Sequence, residues 1–356
     1  MLNWLLLFVP LSIALEYLAP AHYLLVFISA ALAILPLAGW LGRATEQLAS
    51  HLGESVGGLL NATFGNATEL IIGVAALQAG LYDVVKASIA GSIIGNILLV
   101  MGCSMLMGGL KHPEQHFNAV GARSQSTLLT LAAIALVLPA AYKVSTAAKV
   151  ESGAHYLSLS ISVVLLVTYT LFLFYSLVTH KQEFSSEEPD GHDEEVAYWS
   201  VGKALLVLGL STVLVAWVSE ILIGAIEPST HALGLNNIFV GVFVVAILGN
   251  AAEHASAISA AMKNRMDLSL SIAIGSSVQV ALFVAPTLLL TSLLVGPAAM
   301  DLAFPPGLVL SVLLAVLITS EIADDGRSDW FKGVQLLAVY LALGLTFLFF
   351  AGAPGG

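Results

Sequence analysis

Charge is what this chain has least of. Asp, Glu, Lys and Arg make up 10% of its 356 residues, where soluble globular proteins carry about 25%. Twelve Lys and Arg with 23 Asp and Glu cannot cover the surface of a soluble chain that is 58% hydrophobic. That shortage excludes soluble enzymes, secreted scaffolds, coiled coils and disordered chains together. Cysteine is nearly absent as well. Cys103 alone permits neither an internal disulfide nor a cysteine-based metal cage. The net charge of −11 argues against a nucleic-acid partner. What remains in quantity is apolar sequence in long runs, with a mean hydropathy of +0.94. The chain reads as an all-α polytopic membrane protein, because a bilayer admits only helices or closed barrels and these runs lack a barrel's alternation.

A helix crosses a bilayer with about 20 apolar residues. The runs predict eleven transmembrane helices, near 2–19, 22–42, 56–79, 84–110, 124–141, 153–179, 199–226, 236–262, 268–296, 304–322 and 331–353. The first lacks a basic flank, and Glu16 and Pro20 stand where a signal peptidase needs small residues, so an uncleaved helix is expected. Orientation follows the basic residues. Arg43, Lys111, Arg123, Lys181, Lys203, Lys263, Arg265, Arg327 and Lys332 fall on the side of the N-terminus; Lys86, Lys143 and Lys149 fall on the other. The N-terminus is expected in the cytosol and the C-terminus outside. Asp83 and Lys86 read as a short loop with no chemical part.

The acids concentrate between spans six and seven. Glu183, Glu187, Glu188, Asp190, Asp193, Glu194 and Glu195 lie in the segment 182–197, an acidic cytosolic connector. It reads either as a solvated linker or as a regulatory cation-binding element whose field gathers cations. It does not have the ligand spacing of an EF-hand.

Two segments repeat. Gly65-Asn66-Ala67-Thr68-Glu69 in span three and Gly249-Asn250-Ala251-Ala252-Glu253 in span eight are offset by 184 residues, and the same offset carries Gly91-Ser92 onto Gly275-Ser276. Spans three and eight differ by an odd number, so the motifs cross in opposite senses. That is the inverted-topology repeat of secondary transporters, with the site near the midplane. The expected organisation is an extra N-terminal helix (1–20), a first five-helix repeat (21–181), the connector (182–197) and a second five-helix repeat (198–356). Trp40 with Glu46 faintly echoes Trp217 with Glu220, at a different spacing.

An ionised Glu at a helix centre costs about 2.5–3.5 kcal/mol on insertion scales and is relieved by a partner, a proton or a cation. Glu69 and Glu253 have no basic neighbour in sequence. Asn66 lies three residues before Glu69 and Asn250 three before Glu253, each on one helical face. Ser92 with Asn96, and Ser276 with Gln279, add oxygens on the next spans. Hard cations take six to eight oxygens, often two carboxylates with carbonyls and water. Glycines 65, 73, 91, 95, 249 and 275 allow close helix approach or unwinding. Burial and mutual repulsion favour protonation of two close carboxylates. A dication must then displace protons, and with alternating access that exclusion is antiport. His254 reads as a packing residue or a proton-coupled gate, and Glu220 as part of a proton pathway or of packing. Thr68 and Ser277 read as hydroxyls bonded back to their own helices. No nucleophile–base pair or His-Glu-x-x-His zinc helix is present, so no enzyme activity and no catalytic residue are expected.

These motifs resemble the two signature repeats of the cation/proton exchanger family, within the calcium/cation antiporter superfamily. Gly57 to Phe64 resembles the lead-in to the first repeat, and Gly275 to Val284 the remainder of the second. The resemblance spans nearly the whole chain. It implies a Ca²⁺/H⁺ antiporter, with Glu69 and Glu253 as metal ligands and proton acceptors, and with Asn66, Asn250, Ser92, Asn96, Ser276 and Gln279 lining the pathway. It also implies a prokaryotic-type member in the plasma membrane, with no cofactor, Ca²⁺ and H⁺ as transported ions and the lipid bilayer as partner; homo-oligomer formation is left open. Related sodium/calcium exchangers place an acid near the position of Val280, and its absence favours protons over sodium. A monovalent Na⁺ or K⁺/H⁺ antiporter is the alternative, and a cation channel ranks below both.

Overall fold

The computed structural model describes residues 3–52, 54–146, 151–180 and 199–350. The acidic connector lies outside these residues. A 3-10 turn, Asn3–Leu7, leads into α1 (Phe8–Leu18). Then come α2 (Tyr23–Ala49), α3 (Glu54–Phe64), α4 (Ala67–Gln78) and α5 (Tyr82–Lys111), followed by a short strand β1 (Gln115–His116). The first half of the sequence closes with α6 (Ala119–Ser145) and α7 (Glu151–Phe174). The second half holds α8 (Val201–Leu233), α9 (Asn237–Gly249), α10 (Ala251–Met262), α11 (Met266–Ser292), α12 (Pro306–Ile322), β2 (Arg327–Ser328) and α13 (Trp330–Phe350).

Among the described residues, eight helices are long and apolar enough to cross a membrane. A ninth span is formed if α9 and α10, bent by 65° at Asn250, count as one. The helices Asn3–Leu18 and Pro306–Ile322 are apolar but shorter. Local chemistry sets several boundaries. Asn118 caps α6 by accepting from the amides of Val120 and Gly121 (3.0 and 3.1 Å), and Asn236 caps α9 through Phe239 (2.6 Å). These are the donors a helix start leaves free. Gly234 ends α8 in the left-handed region at φ +66°.

Burial ranks the helices. Of the apolar windows, 83% of α5 and 67% of α11 are buried, against 22% for α7 and α13. So α4, α5, α9–α10 and α11 form the centre, with α6, α7, α12 and α13 around them and α2 lying along α8. Two glycines let the central helices meet. An ideal Cβ on Gly91 would fall 2.5 Å from the Val242 backbone, and one on Gly241 would fall 2.5 Å from Ala87 Cβ. Gly73 abuts Leu288 in the same way, whereas Gly95 and Gly275 have nothing within 4 Å and are not contact glycines. Gly95 instead opens a π-helical stretch, Gly95–Val100.

At one end of the bundle β1 pairs antiparallel with β2, and Gln115 donates to Asn264 (3.0 Å). At the same end His51 Nε2 reaches the Trp199 carbonyl (2.8 Å), and Trp40 stacks on Trp199. At the other end the segment after α11 folds over α5. Tyr82 donates to the Ala298 carbonyl (2.7 Å), and Asp301 pairs with both Lys86 and Lys143. Asp83 and Lys86 are therefore not a loop. Both lie in the first turns of α5, and Lys86 is buried, donating also to the Ala303 carbonyl. The sequence missed this because the partner is some 215 residues away.

Candidate functional site

Both halves carry the same break. Asn66 and Asn250 sit at helix starts with nearly the same backbone, φ −93° ψ 14° and φ −99° ψ 14°. Each amide donates back to the carbonyl four residues earlier, Asn66 to Ala62 (3.2 Å) and Asn250 to Ala246 (2.9 Å). The asparagine side chain thus takes up a carbonyl that the interrupted helix leaves free. Tyr169 donates to the same Ala62 carbonyl at 3.2 Å, a support the sequence did not signal. Glu69 and Glu253 follow in the first turns of α4 and α10. There the helix dipole favours a negative charge, and free amides point at whatever binds.

The two motifs meet. Glu69 lies within electrostatic reach of Glu253. The Glu69 carboxyl packs on the second motif's glycine, where an ideal Cβ at Gly249 would stand 3.0 Å from Glu69 Cγ. Glu69 Oε2 is buried and has no hydrogen-bond partner among the described residues. Such an orphaned acceptor is costly unless a proton or a cation completes it. No three His, Cys, Asp or Glu side chains converge among the described residues. A hard cation here would therefore take two carboxylates and fill its shell with amide, hydroxyl and water oxygens.

The six polar residues singled out in the sequence fall into two linked groups. Asn66 donates to Gln279 Oε1 at 2.6 Å. Asn250 donates to Ser92 (2.9 Å) and accepts from Asn96 (3.1 Å) and Ser276 (3.2 Å), while Asn96 also donates to Ser276 (3.0 Å). His254 joins this network through Nε2 and Asn96 Oδ1 at 3.1 Å. An amide oxygen only accepts, so Nε2 carries the proton in this bond. The halves are unequal. Asn250 has every hydrogen-bonding position used, while Asn66 Oδ1 accepts nothing from the described residues. From Glu69 a narrow cavity runs past Ser92 and Ser88 toward the Tyr82 end of α5, walled by Ile72, Ile89, Val245, Val284 and Leu288.

Glu220 is not brought into these contacts; it is exposed on α8. Glu46, noted in the sequence only as a faint echo, lies near the end of α2 and within electrostatic reach of Glu253. Gly42, one turn before it, faces Ala252. Ser277 donates back to Ala273 as expected (3.0 Å), and Thr68 is buried with no side-chain hydrogen bond among the described residues.

The sequence matches the sodium/calcium exchanger protein family over residues 22–178 and 203–349. The chain belongs to that family. This exchanger is 44% identical to the Ca(2+)/H(+) antiporter of Aphanothece halophytica, covering 98% of this chain and 96% of that one. It is 43% identical to the Ca(2+)/H(+) antiporter ChaA of Bacillus subtilis, covering 88% and 89%. The solved structure of native YfkE superposes with a TM-score of 0.85 at 38% identity, covering 98% of the exchanger and 100% of YfkE.

Proposed function

We propose that this exchanger is a Ca²⁺/H⁺ antiporter working by alternating access, with Glu69 and Glu253 holding either Ca²⁺ or protons. The observation that carries the reading is a pair of helix-start carboxylates within electrostatic reach of each other, one with a buried oxygen that no described residue satisfies. Two carboxylates neutralise one dication. Removing it leaves two like charges in a largely apolar interior, which protons relieve. Cation and protons therefore exclude one another, and each proton crossing one pH unit supplies about 1.36 kcal/mol. Nearly full-length identity of 43–44% to proteins named Ca(2+)/H(+) antiporters supports the choice of ions.

The architecture in this proposal has eleven membrane spans, made of the eight long helices, the bent pair and the two shorter apolar helices. The spans are an extra first helix and two inverted five-helix repeats. The matching asparagine breaks and the left-handed turns at Gly80 and Asn264, again 184 residues apart, support the repeat. The pairing of β1 with β2 at one end, and of Asp301 with Lys86 and Lys143 at the other, fits an alternating thread. In this reading the N-terminus and the acidic connector are cytosolic, which the distribution of basic residues supports, and the membrane is the plasma membrane of a prokaryote. His254 acts as a positioning residue through Asn96.

The test is proton-coupled flux in proteoliposomes with an imposed pH gradient and Ca²⁺, Mn²⁺, Na⁺ or K⁺ offered in turn. Dissipation of the gradient by Ca²⁺, and none by Na⁺ or K⁺, is expected. Dissipation by the monovalent ions alone overturns the reading, as does Ca²⁺ conductance without proton movement.

A further inference from the structure

Away from the site, α6 and α12 run side by side at the edge of the bundle. Along most of their length they turn apolar side chains outward: Leu131, Ile134 and Leu138 from α6, and Leu310, Leu314 and Leu317 from α12. Near the β1–β2 end both outward faces become polar. There a groove of about 250 Å³ opens between them, lined by Arg123, Ser126, Thr127, Thr130, Glu321 and Asp324 among others. A water occupies about 30 Å³ of liquid, so the groove holds a small polar group as well as solvent.

The charges in the groove are incompletely paired. Arg123 pairs with Asp324, while Glu321 has no ion pair among the described residues. Ser126 lines the groove, but its hydroxyl oxygen is buried below the surface, without a hydrogen-bond partner among the described residues. Thr127 and Thr130 donate to their own helix, to the carbonyls of Arg123 and Ser126, and so keep oxygen lone pairs free. The groove therefore offers two kinds of recognition side by side. The Arg123 guanidinium is a donor suited to a phosphate. Glu321, Asp324 and the threonine oxygens are acceptors suited to an ammonium that has N–H groups to give. The apolar rows leading up to the groove match acyl chains.

We infer that this groove is a binding site for a phospholipid whose headgroup carries a primary ammonium beside its phosphate, as phosphatidylethanolamine does. The phosphate lies at Arg123, the ammonium at Glu321 and Asp324, and the acyl chains lie along Leu131, Ile134, Leu314 and Leu317. A trimethylammonium headgroup has the same charges but no N–H, and a glycerol headgroup has no cation, so both are disfavoured. None of these residues belongs to the ion site, and the inference does not depend on the transported ion.

Native mass spectrometry of the detergent-solubilised protein tests it, with phosphatidylethanolamine, phosphatidylcholine and phosphatidylglycerol of matched chains titrated separately. The ethanolamine lipid is expected to bind about tenfold more tightly than the choline lipid, the worth of a charge-assisted hydrogen bond. Glu321→Gln, at an exposed position where folding is not at stake, should erase that preference. Arg123→Gln should weaken both zwitterionic lipids together. Equal binding of the two zwitterionic lipids, or an ethanolamine preference intact in Glu321→Gln, overturns the inference. Soluble phosphoethanolamine separates the sources: failure to displace the lipid at millimolar concentration supports a lipid site, and displacement at micromolar concentration shows a soluble ligand and refutes it.

Discussion

Replacing Gly91 by alanine tests whether the crossing of α5 and α9 sets the geometry of the ion site. The new Cβ would stand 2.5 Å from both Cα and O of Val242 and 2.9 Å from Cβ of Ala246, where ordinary contact begins at 3.4 Å. The nearest atoms are backbone, so no rotamer change relieves the clash, and the helices must part by roughly 1 Å. One residue along α5, Ser92 accepts from Asn250 at 2.9 Å. Stretched to about 3.9 Å, that contact is no longer a hydrogen bond. Overpacking costs about 1–3 kcal/mol, and a lost buried hydrogen bond about 1 kcal/mol. Alanine's better helix propensity returns about 1 kcal/mol. The net loss is about 1–3 kcal/mol, or roughly 1–4 °C in Tm for a chain of this length. Gly95→Ala is the control, since it lies on the same helix with nothing within 4 Å of its ideal Cβ. Thermal unfolding of both purified variants and Ca²⁺ flux in proteoliposomes provide the readout. Gly91→Ala should lower the Tm and cut flux at least about fivefold, in keeping with about 1 kcal/mol of misplaced site geometry. Gly95→Ala should keep the parent's flux, with a Tm equal to the parent's or slightly above it from the same propensity gain. Gly91→Ala behaving like Gly95→Ala refutes the argument.

Three further outcomes follow from the same contacts. Asn250→Ala removes a fully buried amide, leaves Ser92 without its donor and takes one bond each from Asn96 and Ser276, so flux should fall at least about tenfold and stability by about 2–3 kcal/mol; flux assay and thermal unfolding check both. Lys86→Met leaves Asp301 with Lys143 alone at 3.2 Å, and unfolding should show a loss of about 1–3 kcal/mol, part of which Asp301→Asn in the same chain restores. Burial raises the Asp301 carboxyl, but the charges and hydrogen bonds of Lys86 and Lys143 outweigh it and hold it below its ordinary value. Its contribution to stability is thus complete above the unfolded carboxylate range near pH 4. It fades as pH falls through the lower folded value, and a Tm–pH profile should show this dependence flattened in Asp301→Asn.

The motifs were legible because burying an acid in an apolar helix is expensive, so Glu69 and Glu253 stood out, and the common offset tied Asn66, Asn250, Ser92 and Ser276 to them. The structure brings those residues together, and the side-chain pairs Asn66–Gln279 and Asn96–Asn250 join the two halves. What could not be read is what depends on distant partners. Lys86 looked like loop sequence because Asp301 lies far along the chain. The link from His254 to Asn96 depends on α10 packing against α5 rather than on spacing. The helix breaks were legible only as glycines, whereas the asparagine beside each glycine bonds the freed carbonyl. Glu220 looked like Glu69 in an apolar run, yet its side chain is exposed on α8. Periodicity too weak to assign a face could not separate these cases.

The central claim is that Glu69 and Glu253 exchange Ca²⁺ for protons. The most direct test is pH-gradient-driven ⁴⁵Ca²⁺ uptake into inverted membrane vesicles carrying Glu69→Gln or Glu253→Gln, with expression and Tm matched to the parent. Glutamine keeps the size and hydrogen-bonding reach but can neither ionise nor release a proton. The account predicts that either substitution abolishes uptake. Robust uptake in both variants would contradict it.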